Sequence, residues 1–374
     1  MLHQLEKKKY NKILPVIKDL YHRPALMSVV EGNSPGQIFV DDLKQPNNIL
    51  VWTPWGFNFL IEDESNDKFN QTMHELIIDK LIPEGIKLGQ ETGFILYPYP
   101  ESYCARIETL FTDKLPLKDY RNTFTFHPEK FKKHTNRERN LPTDIHIKRI
   151  NKKLANRLID AITWSWISVN DFLARGFGFC LLKDNVIIST CYSIFVGHGI
   201  YEIEIDTHPE YRKQGYGKLT ASAFISHCLS NGYTPCWECW KGHSESNHLA
   251  EELGFKLKQK YPAYSIEFTE FDTYIDHGYY YFRDKKEYEK SARYFKKAFN
   301  IKETSAENYY TAACACARAG QKNAAIKFLN IAVNKGWRHI EYLRRSNNFK
   351  GLHSSNGWQE ILEKLKTKID KSEQ

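Results

Sequence analysis

Arg212-Lys213-Gln214-Gly215-Tyr216-Gly217 is a basic turn punctuated by two glycines. It follows the alternating segment YEIEIDT at 201–207 and precedes a run with helical periodicity. Consecutive backbone N–H groups in such a turn can point at one anion, and the glycines let the backbone approach it closely. A helix N-terminus adds partial positive charge, while Arg212, Lys213 and Lys218 bring whole charges to the rim. The chemistry that fits is capture of a phosphate or pyrophosphate. Two nucleotide motifs are excluded by single positions. A Walker loop fails because Lys218 is followed by Leu219, and a dinucleotide fingerprint fails because Thr220 stands where its third glycine belongs. Read by itself, the hexapeptide is better taken as a tight strand-to-helix turn with solvated cations, and it is the flanking elements that reverse this.

Such a turn needs a strand to deliver it and a helix to leave it, and residues 144–270 read as an α/β unit that supplies both. IHIKRI is a strand, KKLANRLIDAITWSWISVNDFLARG is helical, and GFCLLKD and VIISTCYSIFV form a hairpin pair around KDN. A strand ending near Thr207, a helix from about Gly217 to Leu229, the strand YTPCWECW, the helix SNHLAEELGF and the strand YSIEF complete it. Residues 1–128 form another α/β unit, with strands GQIFVDD, NNILVWTP and TGFILYPYP and the helical stretch NDKFNQTMHELIIDKLIPEGIKL, but no catalytic cluster. Residues 129–143, rich in charge, form the predicted linker. Residues 271–374 are mostly helical and repeat themselves. Ser291 and Ala325, Tyr294 and Phe328, Phe295 and Leu329, and Ala298 and Ala332 are each 34 residues apart, the period of a tetratricopeptide helical hairpin.

The chain of 374 residues is long enough for about two or three domains. With 41% hydrophobic, 14% aromatic and 26% charged residues, it folds rather than staying disordered. The net charge of +8 suits a protein that holds an anionic small molecule. The clusters EKKKY and EKFKKHTNRER sit in no nucleic-acid motif and read as solvated surface, so no nucleic-acid partner is expected. Eight cysteines scattered through apolar stretches suggest reduced thiols in the cytoplasm. The N-terminus reads as the start of an amphipathic helix without a signal-type apolar region, no run approaches a membrane span, and no membrane partner is expected.

Strand, R-x-x-G-x-G turn, amphipathic helix, strand and closing helix together resemble the GCN5-related N-acetyltransferase (GNAT) family. Its coenzyme A signature, Q/R-x-x-G-x-G/A, is met by Arg212, Gly215 and Gly217, and the helix ending in Leu253-Gly254-Phe255 is similar to the family's Asn-containing segment. The resemblance covers about residues 145–270. The layout and chain size also resemble the zwittermicin A resistance acetyltransferase group, and the first unit resembles a degenerate copy of the same fold without the turn. The implied architecture is a GNAT fold, tandem with a degenerate first copy, followed by an all-α tetratricopeptide-like region.

The implied reaction moves an acetyl group from acetyl-CoA to an amine, which attacks the thioester directly. Carried over by position, Ile205, Asp206 and Thr207 contact the acetyl and pantetheine groups, Arg212, Lys213, Gln214, Gly215, Tyr216, Gly217 and Lys218 hold the pyrophosphate, and Asn247 is a further contact. Attack needs a neutral amine and so a general base. Glu202, Glu204 and Asp206 share one face of a regular strand. A carboxylate there beside a partly apolar channel has its pKa raised, so Glu204, then Glu202, is the expected base. A solvent-facing acidic face is the other reading, and a bulge would change the face. Many relatives carry a proton-donating tyrosine where this chain has Ala250, which leaves the acid unidentified.

Other candidates are weaker. Cys236 and Cys239 have C-x-x-C spacing but face opposite ways in a regular strand, with no second pair to complete a zinc site. His243 and His248 lack a third ligand. Tyr279, Tyr280, Tyr281 and Phe282 pack the repeat interface or line a peptide groove. Three functions stay open at this point: a small-molecule N-acetyltransferase whose acceptor is an antibiotic or another amine, a protein acetylase that recruits its partner through the helical array, and a non-catalytic acyl-CoA-binding scaffold.

Overall fold

The computed structural model describes residues 2–61, 67–89, 93–135 and 143–370, with positions 133–135 and 370 described as backbone alone. It divides into two compact units, Met1–Ile266 and Glu267–Gln374.

Unit 1 carries thirteen strands: β1 His3–Gln4, β2 Gln37–Val40, β3 Ile49–Trp52, β4 Phe57–Ile61, β5 Phe94–Tyr99, β6 Leu117–Phe126, β7 Ile145–Arg149, β8 Gly178–Lys183, β9 Val186–Gly197, β10 Ile200–Thr207, β11 Thr234–Cys236, β12 Glu238–Trp240 and β13 Phe255–Ile266. Its helices are α1 Pro24–Val30, α2 Asp67–Leu76, α3 Ile82–Lys87, α4 Cys104–Leu110, α5 Pro128–Thr135, α6 Lys152–Arg157, α7 Ile159–Thr163, α8 Val169–Arg175, α9 Tyr216–Ser230 and α10 Ser244–Glu252. The expected N-terminal amphipathic helix is a 3-10 stretch, Lys7–Ile13, that buries Tyr10 and Ile13. The long helical segment after Ile150 breaks into three short helices, the last capped by the Ser168 side chain accepting from the Asp171 N–H. Segment 136–142, within the expected linker, lies outside the described residues.

The strands form two mixed sheets, one in the order β1-β2-β3-β4-β5-β13-β6-β12 and one in the order β11-β10-β9-β8-β7. Strands from the two α/β segments read in the sequence share the first sheet: β13 pairs with both β5 and β6, and β12 pairs with β6. One apolar core runs through both, from Ile13 and Leu26 through Phe59 and Tyr97 to Trp166, Phe195, Phe224 and Trp237. The segment read as one strand, 233–240, is two. It begins beside β10, leaves that sheet at Trp237 and joins β6. Trp237 forces the departure: its side chain is fully buried, its Nε1–H donates to Ser246 Oγ at 3.1 Å, and its ring lies 5.6 Å from Phe255.

Unit 2 is all helical among its described residues: α11 Glu270–Arg283, α12 Tyr288–Ile301, α13 Ala306–Arg318, α14 Lys322–Asn334, α15 Ile340–Arg345, a 3-10 turn Asn347–Leu352 and α16 Asn356–Asp370. Of the eight positions paired in the repeat, Ser291, Phe295, Ala298, Ala325, Leu329 and Ala332 are fully buried, Phe328 is buried and Tyr294 is half-buried. Small residues set the helix spacing. Ser291 Oγ donates to the Gly278 carbonyl at 2.7 Å, and a Cβ at Gly278 would stand 2.9 Å from the Phe295 ring. No helix among the described residues is long and apolar enough to cross a membrane. All eight cysteines are unpaired.

Candidate functional site

The departure at Trp237 opens a gap along β10. Its pairing with β11 stops after Ile200, Tyr201 and Glu202, so residues 203–207 have no strand partner on that side among the described residues. Which groups face the gap follows from strand parity. The His208 N–H donates to Ile188 O across to β9, and the Thr234 N–H donates to Gly199 O on the β11 side. Even-numbered backbone groups of β10 therefore serve β9, and the amides and carbonyls of Ile203, Ile205 and Thr207 turn to the gap.

At the end of this edge lies the glycine turn. Lys213 and Gly215 both take the left-handed conformation, at φ 61° and 81°, and α9 begins at Tyr216 with no side-chain cap. The first hydrogen bond back into α9 comes from the Leu219 N–H to Gly215 O, and the amides from Lys213 to Lys218 have no partner among the described residues. A left-handed residue followed by a helix N-terminus makes a concave nest of N–H groups, a geometry for an anion. Gly217 packs closely on the strand, since a Cβ there would stand 3.0 Å from Thr207 Oγ1, which would have to give way, and 3.5 Å from Ile205 Cδ1. That contact also shows that α9 covers the odd-numbered face of β10. Arg212 reaches back to the edge, donating from Nε to the Thr207 carbonyl at 2.8 Å, with Asp206 Oδ1 3.6 Å from its guanidinium. Gln214 donates to Glu210 O at 3.2 Å, and Lys218 lies 3.2 Å from Glu252.

The even-numbered face carries the acids. A bulge does occur between Glu202 and Ile203 in the pairing with β9, but the extra residue, Ile194, belongs to β9. The alternation of β10 is unbroken, and Glu202, Glu204 and Asp206 share one face with Phe195, Tyr192 and Thr190 opposite them. Glu202 is buried, Glu204 half-buried and Asp206 exposed. Burial pushes Glu204 up to about 7, with Arg121 opposing and Asp206 adding to the rise. Burial likewise raises Glu202, helped by Glu238 and resisted by Arg121 and Arg23. Behind them sits a buried charge network. Arg121 Nη2 is 3.8 Å from Glu202 Oε1, and Arg23, at the start of α1, holds Glu238 of β12 through Nε at 3.0 Å and Nη2 at 3.2 Å. The Arg23 guanidinium lies 4.4 Å from the Tyr261 ring and 5.2 Å from the Tyr97 ring.

An unpaired strand edge, an anion nest at its end and a desolvated carboxylate behind it form an acyl-transfer geometry. A family model described as GNAT acetyltransferase matches residues 15–264. The chain belongs to the GNAT acetyltransferase family. Over 268 residues it is 30% identical to the uncharacterized N-acetyltransferase YdfB of Bacillus subtilis (strain 168), covering 71% of this chain and 98% of that protein. The GCN5-related N-acetyltransferase-like protein from Streptococcus suis 89/1591 is similar in fold, with a TM-score of 0.52 at 24% identity, covering 69% of this chain and 98% of that one. The family match falls wholly within unit 1, and the helical unit follows it. The protein is an N-acetyltransferase enzyme.

Within this acetyltransferase, the residues expected from the sequence at 202–218 lie on one strand edge and one helix start, and Asn247 lies in α10. Its amide is taken up by the protein: Nδ2 donates to His243 O at 2.7 Å and Trp240 O at 3.2 Å, and Oδ1 accepts from Asn122 at 2.6 Å. It ties the turn after β12 to β6. Ala250 is fully buried, so α10 offers the site no side chain at that position. Sequence reasoning missed Arg23, Arg121 and Glu238, together with the rings of Phe57 and Trp240 that flank Arg121 at 5.4 and 5.2 Å. The one available signal was an arginine inside the alternating segment LKDYRNTFTF, which was not read as a strand.

Proposed function

We propose that unit 1 moves an acetyl group from acetyl-CoA to the amine of a small molecule. One observation carries this reading: the edge of β10 at 203–207 stands unpaired, with the anion nest at its end and Glu204 on its acidic face. The residues fit the cofactor, since Gly217 leaves room that a Cβ would fill and the nest amides are free to donate. Amides 215–218 hold the pyrophosphate, with Arg212, Lys213 and Lys218 supplying charge, and Gln214 and Tyr216 shaping the turn. The gap-facing groups of Ile203 and Ile205 and the Thr207 N–H pair with the pantetheine arm as an added strand would, while Asp206 orients Arg212. When bound, acetyl-CoA supplies an activated acyl group. Glu204 takes a proton from the acceptor's ammonium so that the neutral amine can attack, and a gap-facing backbone N–H meets the charge that develops on the acetyl oxygen. Asn247 acts at a distance, by holding the outgoing strand open. With Ala250 buried, the thiolate leaves without an acid from α10. The reading places the enzyme in the cytoplasm with an antibiotic-type amine among its acceptors, as the likeness to the zwittermicin A resistance group suggests.

Gly217→Glu tests it. The side chain presses on Thr207 and puts an anion into the nest, so acetyl-CoA binding by calorimetry falls at least about a hundredfold while the circular dichroism spectrum is unchanged. Unaltered binding by a folded variant overturns the reading.

A second reading concerns unit 2, proposed as a tetratricopeptide-like array that recruits a protein substrate. It is favoured by a cavity of about 510 Å³ lined by Tyr310, Trp337, Tyr342 and Arg283, in which Tyr310 and Trp337 stack at 4.4 Å and Tyr342 stays 64% exposed. A chain ending at Ile266 would then lose acetylation of protein amines and keep that of small ones. Equal loss of both overturns this reading.

A further inference from the structure

The reading above uses the carboxylates of the acidic face and leaves its aromatic rings without a role. Trp164 follows α7 and is 42% exposed. Its ring lies 5.9 Å from Phe57, 6.2 Å from Trp55 and 6.3 Å from Phe195, and Phe195 is the residue opposite Glu202. Phe57 and Trp240, both half-buried, carry the Arg121 guanidinium between them. Trp240 belongs to the outgoing strand on the far side of the gap. Tyr192 stands opposite Glu204, and Arg121, whose charge acts on Glu204, connects that carboxylate to the rings of β4 and β12, with Trp164 and Phe195 of β9 beyond Phe57.

Large apolar side chains exposed in a cluster beside a polar group mark a binding surface. The charges agree with a cationic visitor of low total charge. With Glu238 held by Arg23 and Glu202 facing Arg121, Glu204 and the exposed Asp206 are the acidic-face carboxylates left to meet a visitor, which favours an ammonium group. Arg121, fixed between Phe57 and Trp240, opposes a second positive charge lodged deeper. A hydroxyl-rich body laid on ring faces would give up its water hydrogen bonds for few replacements, whereas a flat apolar body gains stacking and burial.

We propose that the acceptor is a monoamine carried on an aromatic body, seated against Trp164, Phe57 and Trp240 with its nitrogen at Glu204. This rests on the reading of unit 1 as an acetyl-CoA-dependent enzyme and adds the class of acceptor and the residues that select it. Trp164 is the selecting residue whose loss the fold tolerates best, because it is the most exposed of the set.

The test follows free-thiol release from acetyl-CoA with tryptamine, ethanolamine and spermidine as probes, beside calorimetric binding of acetyl-CoA alone. Tryptamine should exceed both polar amines in kcat/KM by at least about tenfold, the worth of one ring contact. Trp164→Ala should raise the KM for tryptamine about tenfold with kcat and acetyl-CoA binding little changed, and Trp164→Phe should recover most of the loss. Equal or better turnover of ethanolamine or spermidine, no turnover of tryptamine, or an unmoved KM in Trp164→Ala overturns this inference while acetyl-CoA binding leaves the underlying reading standing. Absence of acetyl-CoA binding overturns both.

Discussion

Replacing Glu204 by glutamine separates the two consequences of placing a carboxylate where water barely reaches it. Burial first, then Asp206, moves this group from its ordinary 4.5 to about 7 against the pull of Arg121. Between those two pH values the folded chain holds a proton that the unfolded chain has lost. Stability is therefore full below pH 4.5 and falls as pH rises through 7. At 1.36 kcal/mol per pH unit the displacement corresponds to about 3 kcal/mol at pH 8, an upper bound because Glu204 keeps some contact with solvent. Glu204→Gln removes that cost, so the variant should be more stable than the parent at pH 8, by up to about 3 kcal/mol, and equal to it near pH 4. Hydrogen exchange of the β10 amides reads the difference within unit 1. Catalysis should move the other way. A base titrating near 7 gives a kcat/KM that climbs tenfold per pH unit below that value and levels off above it. Glu204→Gln should lose that limb and fall about 10²–10⁴-fold at pH 8. A variant that keeps the parent's limb, or gains no stability at pH 8, refutes the assignment and moves attention to Glu202.

Removing Arg23 as Arg23→Met leaves Glu238 buried without its partner and should cost about 3–5 kcal/mol in urea denaturation, whereas Arg23→Met with Glu238→Gln should recover most of that loss. A chain ending at Ile266 should remain folded and bind acetyl-CoA as the full chain does, because the family match ends at residue 264 and unit 1 has its own core; an insoluble fragment would count against this. Ala250→Tyr, which supplies the residue many relatives carry, should not raise kcat. The position is fully buried, and the added ring should instead cost about 1–3 kcal/mol by overpacking, seen as a lower Tm.

The parts of the site that are local in sequence were legible and the parts made by tertiary pairing were not. The strand ending at Thr207 and the helix beginning near residue 217 follow from alternation, glycine chemistry and periodicity, and the structure has them at Ile200–Thr207 and Tyr216–Ser230. The break of 233–240 at Trp237 was invisible, because a tryptophan that plugs the core under α10 and one that continues a strand look alike in a row of apolar residues. Strands β4 and β6 were passed over for a related reason. Their polar members, Asn58 and Arg121, interrupt the expected pattern, and each has a partner distant in sequence: Asn58 donates to Ile95 O at 3.1 Å beside its local bonds to Gly56 O and the Thr53 N–H, and Arg121 faces Glu202 and Trp240. Asn247 was legible as a position but not as a role, since its partners Asn122 and Trp240 belong to strands whose pairing the sequence does not declare.

The first α/β segment lacks the anion turn, yet it is not a bystander to the chemistry read at the second. Glu204 sits on a strand whose own sheet would leave its acidic face open to water, and an open carboxylate titrates near 4.5. What raises it is burial, and the first segment sets the charge against which it rises: Arg121 from β6 acts on Glu204, Phe57 from β4 lies beside Arg121, and Arg23 at the start of α1 fixes Glu238 on the outgoing strand. Two opposed demands meet there. The face must be dry enough to make Glu204 a base near neutrality, and it must hold enough positive charge for Glu202 and Glu238 to be buried behind it. Arg121 serves both: its stem and the rings around it exclude water, while its charge keeps the rise of Glu204 near 7 instead of higher. A first segment without the turn but with β4, β6 and α1 fits the function proposed above, in which one segment would hold the donor and the other set the proton affinity of Glu204.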